Sequence, residues 1–251
     1  MNNDQLHVHQ VKASHGWSWI AKGFALFRLN PVMWILMFAI YLLIAMLLSY
    51  INVVGPLVLN LLAPVFVGGF MFGCRALDNG EQLELNHLFA GFKQHTAHLI
   101  TVGGIYMTGI LIIMSVMFFS IGPDAMHALT SGDDLTSQQA EAILGHGFYK
   151  TLLIGLLLIV PLVMSYWFAP TLIIFNELTG VQAMRQSFLA CVENILPFIV
   201  YGFITMVLLI LAIIPLGLGL LLMIPVMTAS IYTSYSDIFE DVPVKSSDAS
   251  K

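Results

Sequence analysis

Ionisable side chains are scarce in this sequence: nine Lys and Arg and fourteen Asp and Glu among 251 residues, or 9%. Soluble domains carry about 25%, so a water-facing surface over the whole chain is excluded. The basic residues are scattered singly and the net charge is −5, which excludes nucleic acid as a partner, because phosphate recognition needs a basic stripe. Cysteine is almost missing. Cys74 and Cys191 stand in no Cys-x-x-Cys or Cys/His spacing, so neither metal nor redox chemistry is built on them; both are expected near the cytoplasmic side, where a disulfide does not persist. Also lacking are a Gly-x-Ser-x-Gly elbow, a phosphate-cradling glycine loop, a dense Asp cluster and a His-Glu-x-x-His helix. Nucleophilic, phosphoryl-transfer and zinc-hydrolase chemistry therefore miss their minimum parts. His95 and His98, with His87 and Glu84 nearby, are the one spacing with metal-binding character, and His7 and His9 form a His-x-His near the amino terminus; ordinary helix-end and tail residues explain both. The chain is expected to be no enzyme and to hold no cofactor and no metal.

What is abundant is hydrocarbon: 59% of residues are hydrophobic and the mean hydropathy is +0.90. A bilayer core of about 30 Å needs roughly 20 apolar helical residues per crossing, and the sequence supplies that length six times. The charge-free stretch from Val32 to Cys74 is split by Asn52, Gly55 and Pro56 into spans at about 32–53 and 56–76. A third span is expected at about 98–121, a fourth from Thr151 to Asn176, and two more within Leu196 to Ser236, divided by Pro215, Gly217 and Gly219. The fold class predicted is all-α: an integral membrane six-helix bundle forming a single transmembrane domain over 1–251.

Orientation follows from Lys and Arg, which accumulate in short cytoplasmic segments. With the amino terminus inside, Lys12, Lys22, Arg28, Arg75, Lys93, Arg185, Lys245 and Lys251 are all cytoplasmic and only Lys150 is outside. The exterior segment, about 122–149, carries Asp124, Asp133, Asp134 and Glu141 instead. Both termini are expected in the cytoplasm. The first apolar run begins after residue 30 and has no small-residue cleavage site, so no cleavable signal peptide is expected.

One unit recurs three times: an amphipathic segment, an outward helix, and a return helix with a proline in its middle. Its bounds are 15–80, 81–180 and 181–239, flanked by tails 1–14 and 240–251 expected to be disordered. Phe24, Phe92 and Phe188 align, followed six residues later by Asn30, His98 and Asn194; Pro64, Pro161 and Pro225 align in the return helices. Beyond each proline comes a pair of small residues four apart, Gly69 and Gly73, Ser165 and Ala169, Ser230 and Ser234, which lets helices approach closely in lipid. Each proline removes a backbone hydrogen bond, so kinks are expected near Asn60, Leu157 and Leu221, with the return helices turned inward and the outward helices toward lipid.

The amphipathic starts predict helices lying in the headgroup layer. In the first, Trp17, Ile20, Phe24 and Phe27 recur at helical spacing; in the second, Leu85, Leu88, Phe89 and Phe92; in the third, Thr179 and Gln182 form a capping box ahead of Met184 and Phe188. Lys22, Arg28, Lys93 and Arg185 are the candidate contacts to anionic lipid headgroups. In the exterior segment Thr136 and Gln139 predict one short helix ending at Gly145.

Gly16-Trp17 through Trp19-Ile20 and Gly23, then Leu26-Phe27-Arg28 and Asn30-Pro31, resemble the opening of a family of uncharacterised bacterial six-span inner-membrane proteins, and the likeness covers nearly the whole chain. That family is similar in layout to the membrane domain attached to some glycerophosphodiester phosphodiesterases. The resemblance implies a bacterial inner membrane and carries over no catalytic residue.

The leading expectation is a multi-pass membrane protein with an envelope-organising, lipid-contacting or scaffolding role. Membrane lipids are its expected partners, with a protein partner or second copy open. The alternative is a small permease or lipid-translocating protein for a neutral or amphipathic substrate, with Asn60, Ser165 and Tyr166 available at the kinks. An ion-coupled transporter is disfavoured, because the inner parts of the spans hold no ionisable residue.

Overall fold

The computed structural model describes residues 7–120 and 146–240. Among them all regular structure is helical. The order is α1 His15–Leu29, α2 Pro31–Ser49, α3 Val54–Asp78, α4 Leu85–Leu88, a 3₁₀ turn Ala90–Phe92, α5 Thr96–Ser120, α6 His146–Trp167, α7 Ala169–Asn176, α8 Gly180–Glu193, α9 Ile195–Ile213 and α10 Leu220–Phe239. The expected short helix around Thr136 and Gln139 lies outside the described residues, as does the tail beyond residue 240.

Among the described residues, five segments are long and apolar enough to cross a membrane: Pro31–Ser49, Val54–Asp78, Thr96–Ser120, Tyr149–Asn176 and Ile195–Ile213. The expected sixth, α10, has the length at 20 residues. Its second half carries Thr228, Ser230, Tyr232, Thr233, Ser234, Tyr235, Ser236 and Asp237, which dilute its apolar character.

Consecutive spans pair, α2 with α3, α5 with α6 and α9 with α10. The amphipathic segments follow a cyclic rule. Each packs on the return helix of the preceding unit: α4 and the 3₁₀ turn on α3, α8 on α6 and α7, and α1 on α10, which joins the first unit to the last. Small residues set these contacts. A Cβ on Gly23 of α1 would stand 2.8 Å from both the Val226 carbonyl oxygen and the Ser230 nitrogen of α10, and one on Gly91 would strike the Val65 carbonyl of α3. Ser187 fills the same place on α8. The positions immediately before the aligned Phe24, Phe92 and Phe188 are thus where each segment touches the neighbouring unit.

Several expectations need correction. Within the tail 1–14, residues from His9 onward pack on the bundle: the His9 amide donates to the Ile238 carbonyl at 2.8 Å, and the Val11 amide donates to Asn194 Oδ1 at 2.9 Å. These bonds satisfy backbone groups that would otherwise be buried beneath Val8 and Val11. The inward face of α1 is Gly16, Trp19, Ile20, Gly23, Leu26 and Phe27, while Trp17 is 55% exposed and Phe24 40%. α1 is therefore a packed helix with a second, outward apolar edge. The second amphipathic segment is no continuous helix but one turn, α4, and a 3₁₀ turn. Asn30 and Asn194 both mark helix junctions, but His98 lies inside α5; the second unit changes direction earlier, at His95 with φ 55°.

The fourth span is broken between α6 and α7 at Phe168. In an unbroken helix the Phe168 amide would donate to the Met164 carbonyl. Here Ser187 is inserted: its Oγ accepts from the Phe168 amide at 2.9 Å and donates to the Met164 carbonyl at 2.6 Å. A hydroxyl in the ladder and Pro170 just beyond are sufficient causes of a break. Pro64, Pro161 and Pro225 all lie inside helices, but only Pro64 and Pro225 are buried. Pro161 is exposed. The inward placement of return helices therefore holds for α3 and α10 and fails for α6 at Pro161.

Candidate functional site

Among the described residues the ion pairs gather at one end of the bundle, around the last turns of α3, α7 and α10. Asp237 is the main node. Its Oδ2 accepts from the Trp19 indole at 2.9 Å and lies 2.8 Å from His15 Nδ1, while its Oδ1 accepts from Lys22 Nζ at 2.8 Å. Asp237 stands beyond the charge-free run that ends at Ser236. Partial burial opposes its ionisation, yet the bonds from Lys22 and His15 outweigh that and hold the carboxyl below the ordinary range. A second node is Arg75, which pairs with Glu240 and stacks 4.0 Å from the centroid of Phe175. Tyr232 donates to Asp78 at 3.0 Å and Tyr235 to Asn176 at 2.7 Å. These bonds tie the end of α10 to α1, α3 and α7.

Between α1, the end of α3 and α10 lies a cleft of about 340 Å³ lined by Lys22, Leu26, Leu29, Asp78, Tyr232 and Ser236. It has charge of both signs at one side and hydrocarbon at the other.

The four candidate headgroup contacts separate into two kinds. Lys22 is engaged by Asp237 and works as an internal tie. Arg28, Lys93 and Arg185 are exposed and face no carboxylate among the described residues; Arg28 lies 5.9 Å from the Phe24 ring. Each stands beside outward apolar groups on its own segment: Trp17 and Phe24, Phe89 and Phe92, Val181 and Leu189. Arg75 and Asp237 both lie near helix ends, with Glu240 and Lys22 as their partners.

Other candidates are structural. His87 Nδ1 accepts from the Glu84 amide at 3.1 Å, closing the turn before α4, and among the described residues no three His, Cys, Asp or Glu side chains gather as a metal would require. Cys74 and Cys191 are free and buried. Asn60 donates to the Pro56 carbonyl and Ser165 to the Pro161 carbonyl, each at 2.8 Å, and the Tyr166 ring lies tilted against Tyr106 of α5 with centroids 4.6 Å apart. Of the three side chains expected at a path, Asn60 and Ser165 are thus satisfied within their own helices. The capping box holds: the Thr179 amide donates to Gln182 Oε1 at 3.2 Å. Ser187 and Asn194 were missed as organising residues; a lone Ser or Asn on an amphipathic helix gives no signal of a partner so far off in sequence.

Long apolar helices in succession define a multi-pass integral membrane protein. A Burkholderia thailandensis protein described as a probable inner membrane protein is 31% identical over 201 residues, covering 78% of this chain and 74% of that one. The chain belongs to the same family of inner-membrane proteins. No protein-family model matches the sequence, and no solved structure matches it.

Proposed function

We propose that the protein is a non-enzymatic, six-span organiser of the inner membrane, built as three hairpin repeats with both termini in the cytoplasm. α10 is the sixth crossing in this reading, and the amphipathic segments sit at the cytoplasmic surface, where they hold anionic lipid headgroups. One observation carries it: Arg28, Lys93 and Arg185, one per unit, are exposed beside outward apolar groups and face no carboxylate among the described residues. An interfacial helix with hydrocarbon below and a free cation above attracts anionic lipid, at about 1 kcal/mol per cation. Lys22 is excluded from that role by its bond to Asp237.

The test is the lipid content of protein purified in mild detergent. Replacing Arg28, Lys93 and Arg185 together by Gln should lower co-purified phosphatidylglycerol several-fold, whereas Lys22→Gln should leave it unchanged while weakening the fold. Unaltered phosphatidylglycerol in the triple variant would remove the headgroup reading. Reporter fusions near Ser131 and at the carboxyl terminus should report opposite sides; the same side for both would overturn the orientation.

A further inference from the structure

The cyclic packing rule has one gap. Return helices also lean on the outward helix of the next unit: α3 packs closely on α5, where a Cβ on Gly103 would come within 2.6 Å of the Leu61 carbonyl oxygen, and α10 packs on α2. The third such pair, α6 and α9, makes almost no contact. Between them, floored by α8 and by Met227 of α10, runs a groove of about 490 Å³.

The groove walls are hydrocarbon and aromatic, with Ile159, Met164, Trp167, Phe198 and Gly202 among them. Most polar groups on the wall are turned toward protein: Tyr201 is hydrogen-bonded to Ser230 at 2.7 Å and the Thr205 hydroxyl reaches the Met227 sulfur at 3.7 Å, while the Trp167 indole N–H has no partner. A surface with one polar group among hydrocarbon favours an apolar ligand. A Cβ placed on Gly202 would meet no atom within 4 Å, so open space lies directly against the α9 backbone.

Length and lining identify the occupant. On α6 the lining runs from Trp167 to Ile159, about 12 Å at about 1.5 Å per residue. On α9 it runs from Ile195, the helix's first residue, to Thr205, about 15 Å on the same rise. Half of a hydrocarbon core of about 30 Å is about 15 Å, so the groove has the length of one leaflet's acyl chains and starts at the end where α8 lies. The Trp167 indole N–H is a single unpartnered polar group on the wall, short of the two to four partners that an ordered water needs, and an empty groove forfeits dispersion contacts along its walls.

We infer that the seam between α6 and α9 is a binding site for one acyl chain of a membrane glycerolipid. The chain lies along Gly202 and substitutes for the helix contact that α3–α5 and α10–α2 make directly. This site stands apart from the headgroup reading above, since none of Arg28, Lys93 and Arg185 lines it.

The full-length protein, stripped of lipid in detergent and titrated with dioleoyl phosphatidylethanolamine, tests it by native mass spectrometry. The wild type should take up one tightly held lipid and gain several degrees in unfolding temperature. Gly202→Phe, which fills open space, should fold, lower that occupancy at least tenfold, and unfold at a temperature insensitive to the lipid. Leu209→Phe, outward on the same helix, should behave as wild type. The triple Gln variant of Arg28, Lys93 and Arg185 should keep this lipid even if it loses phosphatidylglycerol, which separates failure of the two readings. Equal lipid retention by wild type and Gly202→Phe, or equal loss in Leu209→Phe, would overturn the site.

Discussion

The seam between α1 and α10 and the seam between α6 and α9 each lie between two different units, and they differ in almost every respect. The first is closed by backbone contact at Gly23, by the Trp19, His15 and Lys22 bonds to Asp237, and by the Thr233 hydroxyl donating to the Trp19 carbonyl at 3.0 Å. The second holds no such bond and is bare at Gly202. In lipid, apolar surface alone does not drive helices together, because the tails are as apolar as the side chains. Small residues and polar bonds decide which helices touch, and lipid fills the rest.

The sharpest way to break this contrast is to put the same side chain in both seams. Gly23→Phe should cost about 3 kcal/mol or more by forcing two backbones apart and should abolish monodisperse protein on size-exclusion chromatography, while Gly202→Phe leaves it monodisperse; the opposite order would invert the assignment of closed and open seams. Asp237→Asn should cost about 2 kcal/mol, the loss of charge-assisted bonds. Because the Asp237 carboxyl is held below its ordinary range, that stabilisation is present at neutral pH and lost as pH falls through the folded value. The difference in thermal unfolding between wild type and variant should therefore be full above the ordinary Asp value of about 3.9, shrink only below it, and vanish once the pH is under the folded value; a difference that persists in stronger acid would deny the ion pair its role. Ser187→Ala should cost about 1–2 kcal/mol through an unsatisfied Phe168 amide, and no change in unfolding temperature would mean that the α6–α7 break needs no hydroxyl. Smallest is Leu157→Ala on the lipid face of α6, where the side chain is 74% exposed; it should shift stability by less than about 0.5 kcal/mol.

The spans were legible because about 20 uncharged apolar residues have few other meanings, and the Thr179 capping box because its parts are three residues apart. The break at Phe168 was not, since its cause sits on another helix at Ser187. Periodicity found the apolar edge at Trp17 and Phe24, which is exposed, but not the face at Trp19 and Gly23 that meets protein: in a membrane protein both faces of a surface helix can be apolar, so a hydrophobic stripe does not say which face meets protein. Arg28, Lys93 and Arg185 stood out in sequence as cations on amphipathic segments. Lys22 looked the same in sequence, and only a carboxylate 215 residues away distinguishes it.

Closure of the cycle by α1 on α10 is tested most directly by crosslinking in native membranes. Ala25→Cys and Ser236→Cys line one cleft, and in a chain lacking Cys74 and Cys191 a short bis-maleimide should join them. With a protease site placed near Ser131, the two halves should then stay linked on a denaturing gel, while an Ala25→Cys and Leu157→Cys pair separates. Separation of the halves in the Ala25 and Ser236 pair would show that the first unit does not close on the last.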